Sequence, residues 1–492
     1  RMLLIMAVTL YTSRVVLATL GIEDFGIYNV VAGFVAMFGI LSGTLSASIS
    51  RFLTFELGAK NAEKLSRVFS TSVNVQIIIS LVILLFSEIV GVWFLNTRMN
   101  IPDERMVAAN WVFQFSMFTF IINLISVPYN ASIIAHERMN FFAYVSILEV
   151  SLKLLIVYLL VNSQIDKLVL YALLLLLVSM VIRVIYGVYC KRNFSECNYH
   201  FILDKPLMKE MLSFAGWNFI GASSKTLKDQ GVNVAINLFC GTVVNAARGV
   251  AMQVNTAVHS FVNNFMVALN PQITKSYASG DYSYMMNLIQ QGARLSFYML
   301  MILSLPIILE AEMILSLWLV EVPSHTVNFV RLVLINAMIE SLSGTLITAM
   351  LASGKIRNYQ LVVGGIQMLN FPLSYSLLKL NYFPEITLII AIVLSVISLL
   401  TRLLFLRGMI KLSIRKYLWG VVFNAFFVFS ISLILPVGLY NILNAGIIRL
   451  LVILLVSICY SAAVILFIGC KRSEREIFVR KLALIKLKYK MK

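Results

Sequence analysis

The chain has 492 residues, of which 60% are hydrophobic and 13% charged, with a formal net charge of +18. A soluble domain carries about 25% charged residues, so this composition excludes an ordinary water-soluble enzyme. Basic loops beside a membrane account for the positive charge better than a nucleic-acid surface does, and no nucleic-acid partner is expected. Apolar runs of about eighteen residues or more recur along the chain, each able to span a bilayer. The roughly ten-residue alternation of a membrane β-barrel is missing. The expected fold class is therefore an all-α polytopic membrane protein. Residue 1 is Arg, so further residues are expected before it. The cysteines (Cys190, Cys197, Cys240, Cys459, Cys470) have no metal or redox spacing and are expected to be reduced.

Hydropathy places about fourteen spans. The first six fall at roughly 1–20, 26–49, 69–95, 107–130, 141–162 and 168–189. The next six fall at roughly 211–240, 247–270, 288–314, 326–352, 359–380 and 385–406, followed by about 417–439 and 446–470. This divides the chain into an N-lobe over 1–189, a linker over 190–210, a C-lobe over 211–406, two extra spans within 407–470 and a basic tail over 471–492. In the tail, residues 477–488 alternate apolar and basic groups at helical spacing, as a helix lying on an anionic leaflet does.

Loops after even-numbered spans, with Arg1 and the tail, hold about 26 cations, against about five in loops after odd-numbered spans. The positive-inside rule then places both termini in the cytoplasm, and an even span count agrees. A repeat is also visible at a spacing of about 220 residues. Gly21 matches Gly241, and Leu57-Gly58-Ala59-Lys60 matches Ser279-Gly280-Asp281-Tyr282. Ala135-His136-Glu137-Arg138 matches Ala352-Ser353-Gly354-Lys355. Spans 1–6 thus map onto spans 7–12 in the same orientation, the pattern of a parallel repeat about an axis along the membrane normal.

Charged and polar residues inside spans are the functional candidates, because they are expensive there and usually face a cavity or a partner. Arg14 lies about two turns from the outer end of span 1, able to line a cavity or to snorkel outward. Arg51 follows span 2 and is either a cytoplasmic gate or a plain topology signal. Glu149 and Lys153 in span 5 are four apart, a favourable helix pair that is structural or a coupling switch. Span 7 carries Lys225, Lys228 and Asp229: the lysines could bind phosphate, with Asp229 as counter-charge or coupling carboxylate, or Lys225 and Asp229 could simply neutralise each other. In span 8, Asn255, His259 and Asn263 recur every four residues as one polar stripe, for sugars or for bonds between helices. Asn110 and Gln114 repeat that argument more weakly. Glu340, in the middle of span 10, is an ion-coupling or hydrogen-bonded packing carboxylate. Arg183, Arg248, Arg294, Arg331 and Arg449 are read as snorkelling towards span ends.

The run Ser13-Arg14-Val15-Val16-Leu17 … Leu20-Gly21 … Asp24-Phe25-Gly26-Ile27-Tyr28 resembles the first-loop pattern of polysaccharide flippases. So does Ala268-Leu269-Asn270-Pro271-Gln272-Ile273 … Ala278-Ser279-Gly280-Asp281. These are the Wzx-type O-antigen and capsule transporters of the MATE-like (MOP) superfamily. The resemblance implies two six-helix lobes that alternate between inward and outward access. It also implies movement of an undecaprenyl-diphosphate-linked oligosaccharide to the periplasmic leaflet of a bacterial inner membrane, with the two extra helices accommodating the lipid tail. A proton or sodium gradient is the candidate driving force, and glycan polymerase machinery a candidate partner. Nothing demands more than a monomer.

No Gly-rich phosphate loop ending in Lys-Ser/Thr, no Asp-x-Asp pair and no His-Glu-x-x-His motif occurs. No cofactor or metal is expected, and the chain reads as a transporter rather than an enzyme. Two alternatives stand beside this reading. A MATE-like drug or cation antiporter should have an acidic cavity and twelve spans. A membrane glycan polymerase or ligase should carry a large periplasmic loop.

Overall fold

The computed structural model describes residues 2–36, 38–97, 101–161, 163–202, 204–319, 321–470 and Arg475. Within the first helix some side chains, including that of Arg14, lie outside the described set, as does the basic segment 477–488. The described residues form helices and turns, with no strand among them. Among the described residues ten helices are long and apolar enough to cross a membrane, or eleven when a pair bent by 41° counts as one span. One of the ten is a 74-residue helix that the expected count of about fourteen treats as two spans.

The chain divides into two compact units. Unit 1 runs to Ala222 and includes Thr274–Gly280; unit 2 holds Ser223–Ile273 and everything from Asp281. The division falls inside a helix, and the linker 190–210 belongs to unit 1.

In unit 1, α1 (Met2–Ala36) is broken at Gly21, and α2 (Gly39–Gly58) follows. Next come α3 (Ala62–Phe86), a short α4 (Val92–Thr97), α5 (Asp103–Ala135), α6 (Met139–Val161) and α7 (Lys167–Asn193). α8 (Lys205–Ala278) starts with Asp204, whose carboxylate accepts from Leu207 N–H at 3.0 Å, an N-cap. The interior is apolar and closely packed around Val31, Val112, Phe113, Met117 and Leu168, all under 2% exposed.

Unit 2 begins in mid-α8 and continues through α9 (Tyr282–Leu309) and α10 (Ala311–Trp318). The bent pair α11 (Thr326–Ser341) and α12 (Gly344–Ser353) follows, then α13 (Arg357–Met368) and α14 (Asn370–Lys379). After α15 (Ile386–Ile410) come α16 (Ile414–Tyr417), α17 (Asn424–Ile442) and α18 (Ile447–Val464). Among the ten continuous spans of the described residues, α9 is the most buried. Tyr298 of α9 donates to Asn424 of α17 and, at 3.3 Å, to the Gly469 carbonyl beyond α18. The two extra helices are thus part of this unit's core.

The repeat is written in the backbone. Gly21 (φ 81°, ψ 169°) and Gly241 (φ 85°, ψ 179°) break α1 and α8 in the same conformation, which favours glycine. At the next turn the structure corrects the sequence register. Lys60 (φ 57°), not Gly58, corresponds to Gly280 (φ 75°). Each turn is followed by an N-cap at the next residue: Asn61 accepts from Lys64 N–H, and Asp281 from Tyr284 N–H, both at 3.0 Å. A match by residue type follows the visible glycine, whereas backbone geometry pairs glycine with a left-handed lysine. The third turn agrees as read: Glu137 (φ 59°) corresponds to Gly354 (φ 75°).

Candidate functional site

Unit 2 gathers polar groups from α8, α11, α13 and α15. Lys228 is 6% exposed; its Nζ donates to Gln367 Oε1 at 3.1 Å and lies 3.7 Å from Asp229 Oδ1. Gln367 in turn donates to Ser398 Oγ at 2.8 Å. Lys228 is therefore held by partners inside its own unit. Lys225, one turn earlier, is exposed. Both lysine charges and the His259 ring act on the carboxylate of Glu340.

Glu340 Oε1 accepts from Asn336 Nδ2 at 3.3 Å and from Ser395 Oγ at 3.4 Å. Ser395 also donates to Asn336 Oδ1 at 2.9 Å, so the carboxylate is braced from α11 and α15. A carboxylate within a span is tolerated here because hydrogen-bond donors and nearby cations balance it. On the polar stripe of α8, Asn255 Oδ1 and His259 Nδ1 are buried atoms with no hydrogen-bond partner among the described residues. Asn263 on the same stripe is exposed. Buried polar atoms in native proteins are normally satisfied, so these two are open to a further hydrogen bond.

Arg248 belongs to this cluster although the sequence reading sent it to a span end. It is 5% exposed, and its Nη1 donates to Asn233 Oδ1 at 2.7 Å and to the Asp229 carbonyl at 3.3 Å. Arg294, also read as snorkelling, is 3% exposed, with Nη1 3.5 Å from the Gly420 carbonyl. Arg449 meets the buried carboxylate of Glu310 at 2.8 and 3.0 Å and lies over the Tyr440 ring at 4.3 Å. Position along a span does not reveal a partner supplied by another helix, and the buried partners of these three arginines correct the expectation that they snorkel. Arg331 donates to the Ile308 carbonyl at 3.0 Å.

In unit 1 the candidates are dispersed. Arg14 lies in α1, with its side chain outside the described set. Lys153 and Glu149 form an ion pair of 2.7 Å on α6, with both side chains more than a third exposed. Glu149 also borders a polar cavity of about 340 Å³ with Asn123, Ser126, Asn130, Ser146 and Ser179. Asn110 pairs with Asn96 at 3.0 Å, and Gln114 donates to Glu88 at 3.1 Å. Arg183 stacks on Tyr129 at 3.9 Å. Arg51 lies over the rings of Phe52 (4.6 Å) and Phe55 (4.8 Å), in an aromatic setting that holds a guanidinium. Close by, Gly58 faces Lys275: a Cβ added there would be 2.6 Å from the Lys275 Cα. Lys275 Nζ pairs with Glu137 at 2.7 Å, and Phe55 meets Tyr277 at 6.3 Å.

Charge clamps lie near the helix starts of both units. Arg105 bridges Asp24 (2.5 Å) and Asp166 (2.7 Å) in unit 1. Burial alone would raise the Asp166 pKa, but bonds from Arg105 and from the Val169 and Leu168 N–H groups hold it below the ordinary value. In unit 2, Glu385 accepts from Asn328 at 3.0 Å and lies 2.8 Å from His325 Nδ1. Burial opposes its ionisation, yet those two partners lower its pKa. Among the described residues no His, Cys, Asp and Glu cluster is arranged to hold a metal.

The sequence profile of the polysaccharide biosynthesis protein family matches residues 3–277. EpsK, an uncharacterized membrane protein of Bacillus subtilis (strain 168), is 20% identical over 296 residues, covering 60% of this chain and 58% of that protein's length. Among solved structures, a MATE crystallised in complex with MaL6 matches at TM-score 0.71 and 13% identity, over 83% of this chain and 93% of its own. An outward-facing multidrug resistance MATE transporter of the MOP superfamily gives TM-score 0.70 at 14% identity, with the same coverage. A MOP superfamily transporter from Pyrococcus furiosus, described as having a binding pocket of reverse polarity, gives 0.68 at 13% identity, again over 83% and 93%. At these identities the structures establish the fold, which is all-helical and MATE-like. The resemblance to MATE-like polysaccharide transporters holds.

Proposed function

We infer what this protein moves from one premise: the chain belongs to the polysaccharide biosynthesis protein family. It is a multi-pass membrane protein that carries an undecaprenyl-diphosphate-linked oligosaccharide from the cytoplasmic to the periplasmic leaflet by alternating access. The product feeds O-antigen, capsule or exopolysaccharide assembly, where a glycan polymerase would receive it. It works as a monomer in the bacterial inner membrane, with both termini cytoplasmic. The cation bias of alternate loops supports that orientation.

The observation that carries the reading is the polar cluster of unit 2. Within membrane-spanning helices it holds three cations, Lys225, Lys228 and Arg248, against two carboxylates, Asp229 and Glu340. A diphosphate needs positive charge to enter hydrocarbon, and lysine supplies it as a point charge. Lys225 is the accessible member, while Lys228 and Arg248 are braced and set the local field. The unsatisfied atoms of Asn255 and His259 provide an acceptor and a ring nitrogen for sugar hydroxyls. Glu340, facing both lysines, is suited to exchange a proton or sodium ion as the substrate's charge arrives and leaves. A drug-cation antiporter would need the opposite balance of charge.

The test is surface polysaccharide in cells whose only copy of this gene carries Lys225→Ala, alone and with Lys228→Ala. Export should fall sharply in the single variant and stop in the double variant, with the protein still in the membrane. Normal export in both discards the site. Glu340→Gln should change the dependence of transport on proton or sodium gradients, and an unaltered response removes that role.

A further inference from the structure

A second charged site lies in unit 2, at the end of α15. Between Glu385 and Glu474 the chain contains no Asp or Glu, yet Arg407, Lys411, Arg415 and Lys416 fall in one short stretch of it. All four are exposed, and among the described residues no carboxylate pairs with any of them. The backbone brings two of them together. Lys411 takes a left-handed conformation (φ 55°) and ends α15, and Leu412 N–H reaches back to the Leu406 carbonyl at 3.4 Å. The chain therefore reverses between Arg407 and Arg415. Both guanidinium-bearing residues line one open cavity of about 530 Å³ with Ser413, Ile414, Leu418 and Trp419.

The walls of this cavity have two characters. One side offers two planar guanidinium forks and a hydroxyl, which suit the oxygens of a phosphate. The other offers Trp419, 61% exposed, with Leu412, Ile414 and Leu418. Indole rings favour the level between headgroups and acyl chains, and basic pockets between spans bind acidic lipid headgroups. A free phosphate would use the arginines and ignore the indole and the apolar wall. We propose that the turn joining α15 to α16 is a binding site for one anionic glycerophospholipid, its phosphate held by Arg407 and Arg415 and its glycerol and acyl region lying against Trp419. This site would hold a lipid that stays in the membrane, and it shares no residue with the Lys225–Glu340 cluster, so it does not depend on the flipping proposal.

The experiment is thermal unfolding of the purified full chain in neutral detergent with added phosphatidylglycerol, with phosphatidylcholine of the same acyl chains, or with inorganic phosphate. Phosphatidylglycerol should raise Tm, with little response to the other two. The variant Arg407→Ala/Arg415→Ala should lose most of that rise, and Arg407→Lys/Arg415→Lys should keep part of it. An undiminished rise in the alanine variant overturns the site, and an equal rise with inorganic phosphate overturns the lipid. If the alanine variant is not obtained folded, nanodiscs containing brominated-acyl phosphatidylglycerol decide. Fluorescence quenching should drop from the native protein to Trp419→Phe by more than it does with brominated phosphatidylcholine. Equal drops overturn the proposal.

Discussion

At the start of α5 in unit 1, the guanidinium of Arg105 sits between Asp24 and Asp166. At the matching place in unit 2, His325 meets Glu385, with Asn328 as second donor. The two clamps occupy the same points of the repeat, as do the breaks at Gly21 and Gly241 and the paired left-handed turns. Deeper in, the units part. Unit 2 buries Lys228, Arg248, Arg294 and Glu310, each with partners from its own unit. Unit 1 buries Glu56 and Glu196 near helix ends and turns, beside Lys64 and His136, and leaves Lys153 and Glu149 partly exposed on α6. Duplication therefore preserved the hinges and turns, which depend on backbone, and left the internal charge free to differ.

The contrast in buried charge is broken most severely at Arg449. Arg449→Ala leaves Glu310 buried without its cation and should destabilise the chain by about 3–5 kcal/mol, whereas Glu310→Ala/Arg449→Ala recovers much of that. Thermal unfolding of both variants in the same detergent checks it. Next comes the close approach in unit 1. Gly58→Ala puts a Cβ 2.6 Å from the Lys275 Cα and should cost about 1–3 kcal/mol, while its repeat mate Ala278→Gly should cost about 1 kcal/mol.

The shared hinges sharpen the comparison from the other side. Open space surrounds Gly21 and Gly241, so only the positive φ penalises a side chain there. Gly21→Ala and Gly241→Ala should each cost about 1–2 kcal/mol, and nearly equally. Unequal losses in unfolding experiments would mean that the hinges are not equivalent. The clamps predict a pH effect. Asp166 and Glu385 titrate below the ordinary carboxylate value in the folded chain. They therefore add stability above the unfolded-state pKa and lose it as pH falls through the lowered folded value, between about pH 5 and pH 2. Arg105→Ala should flatten the part of that acid-side decline in Tm that comes from Asp166. The smallest effect belongs to Lys153→Ala. Its exposed pair with Glu149 is worth about 0.5 kcal/mol or less, so a large loss of export without loss of stability would give unit 1 a direct part in transport.

The spans, the two-part repeat and the segment richest in charge within spans were legible in the residues. Apolar runs, loop charge and recurring turn signals are local properties, and Lys225, Lys228 and Glu340 stand out because charge in a span is rare. Register was less legible. Gly58 attracted a match to Gly280, while the backbone aligns Lys60 there, because a left-handed turn can be filled by either residue.

What a linear reading could not supply was partnership. Gln367 for Lys228, Asn336 and Ser395 for Glu340, Asn233 for Arg248 and Glu310 for Arg449 come from distant stretches of chain. Whether a cation inside a membrane is a binding group or a braced strut depends on which neighbours arrive beside it. Hydropathy determined that these helices lie in the bilayer, since burial of apolar surface acts residue by residue. Packing decided which of the charges remain available to a ligand, since that depends on distances between helices that sequence spacing does not encode.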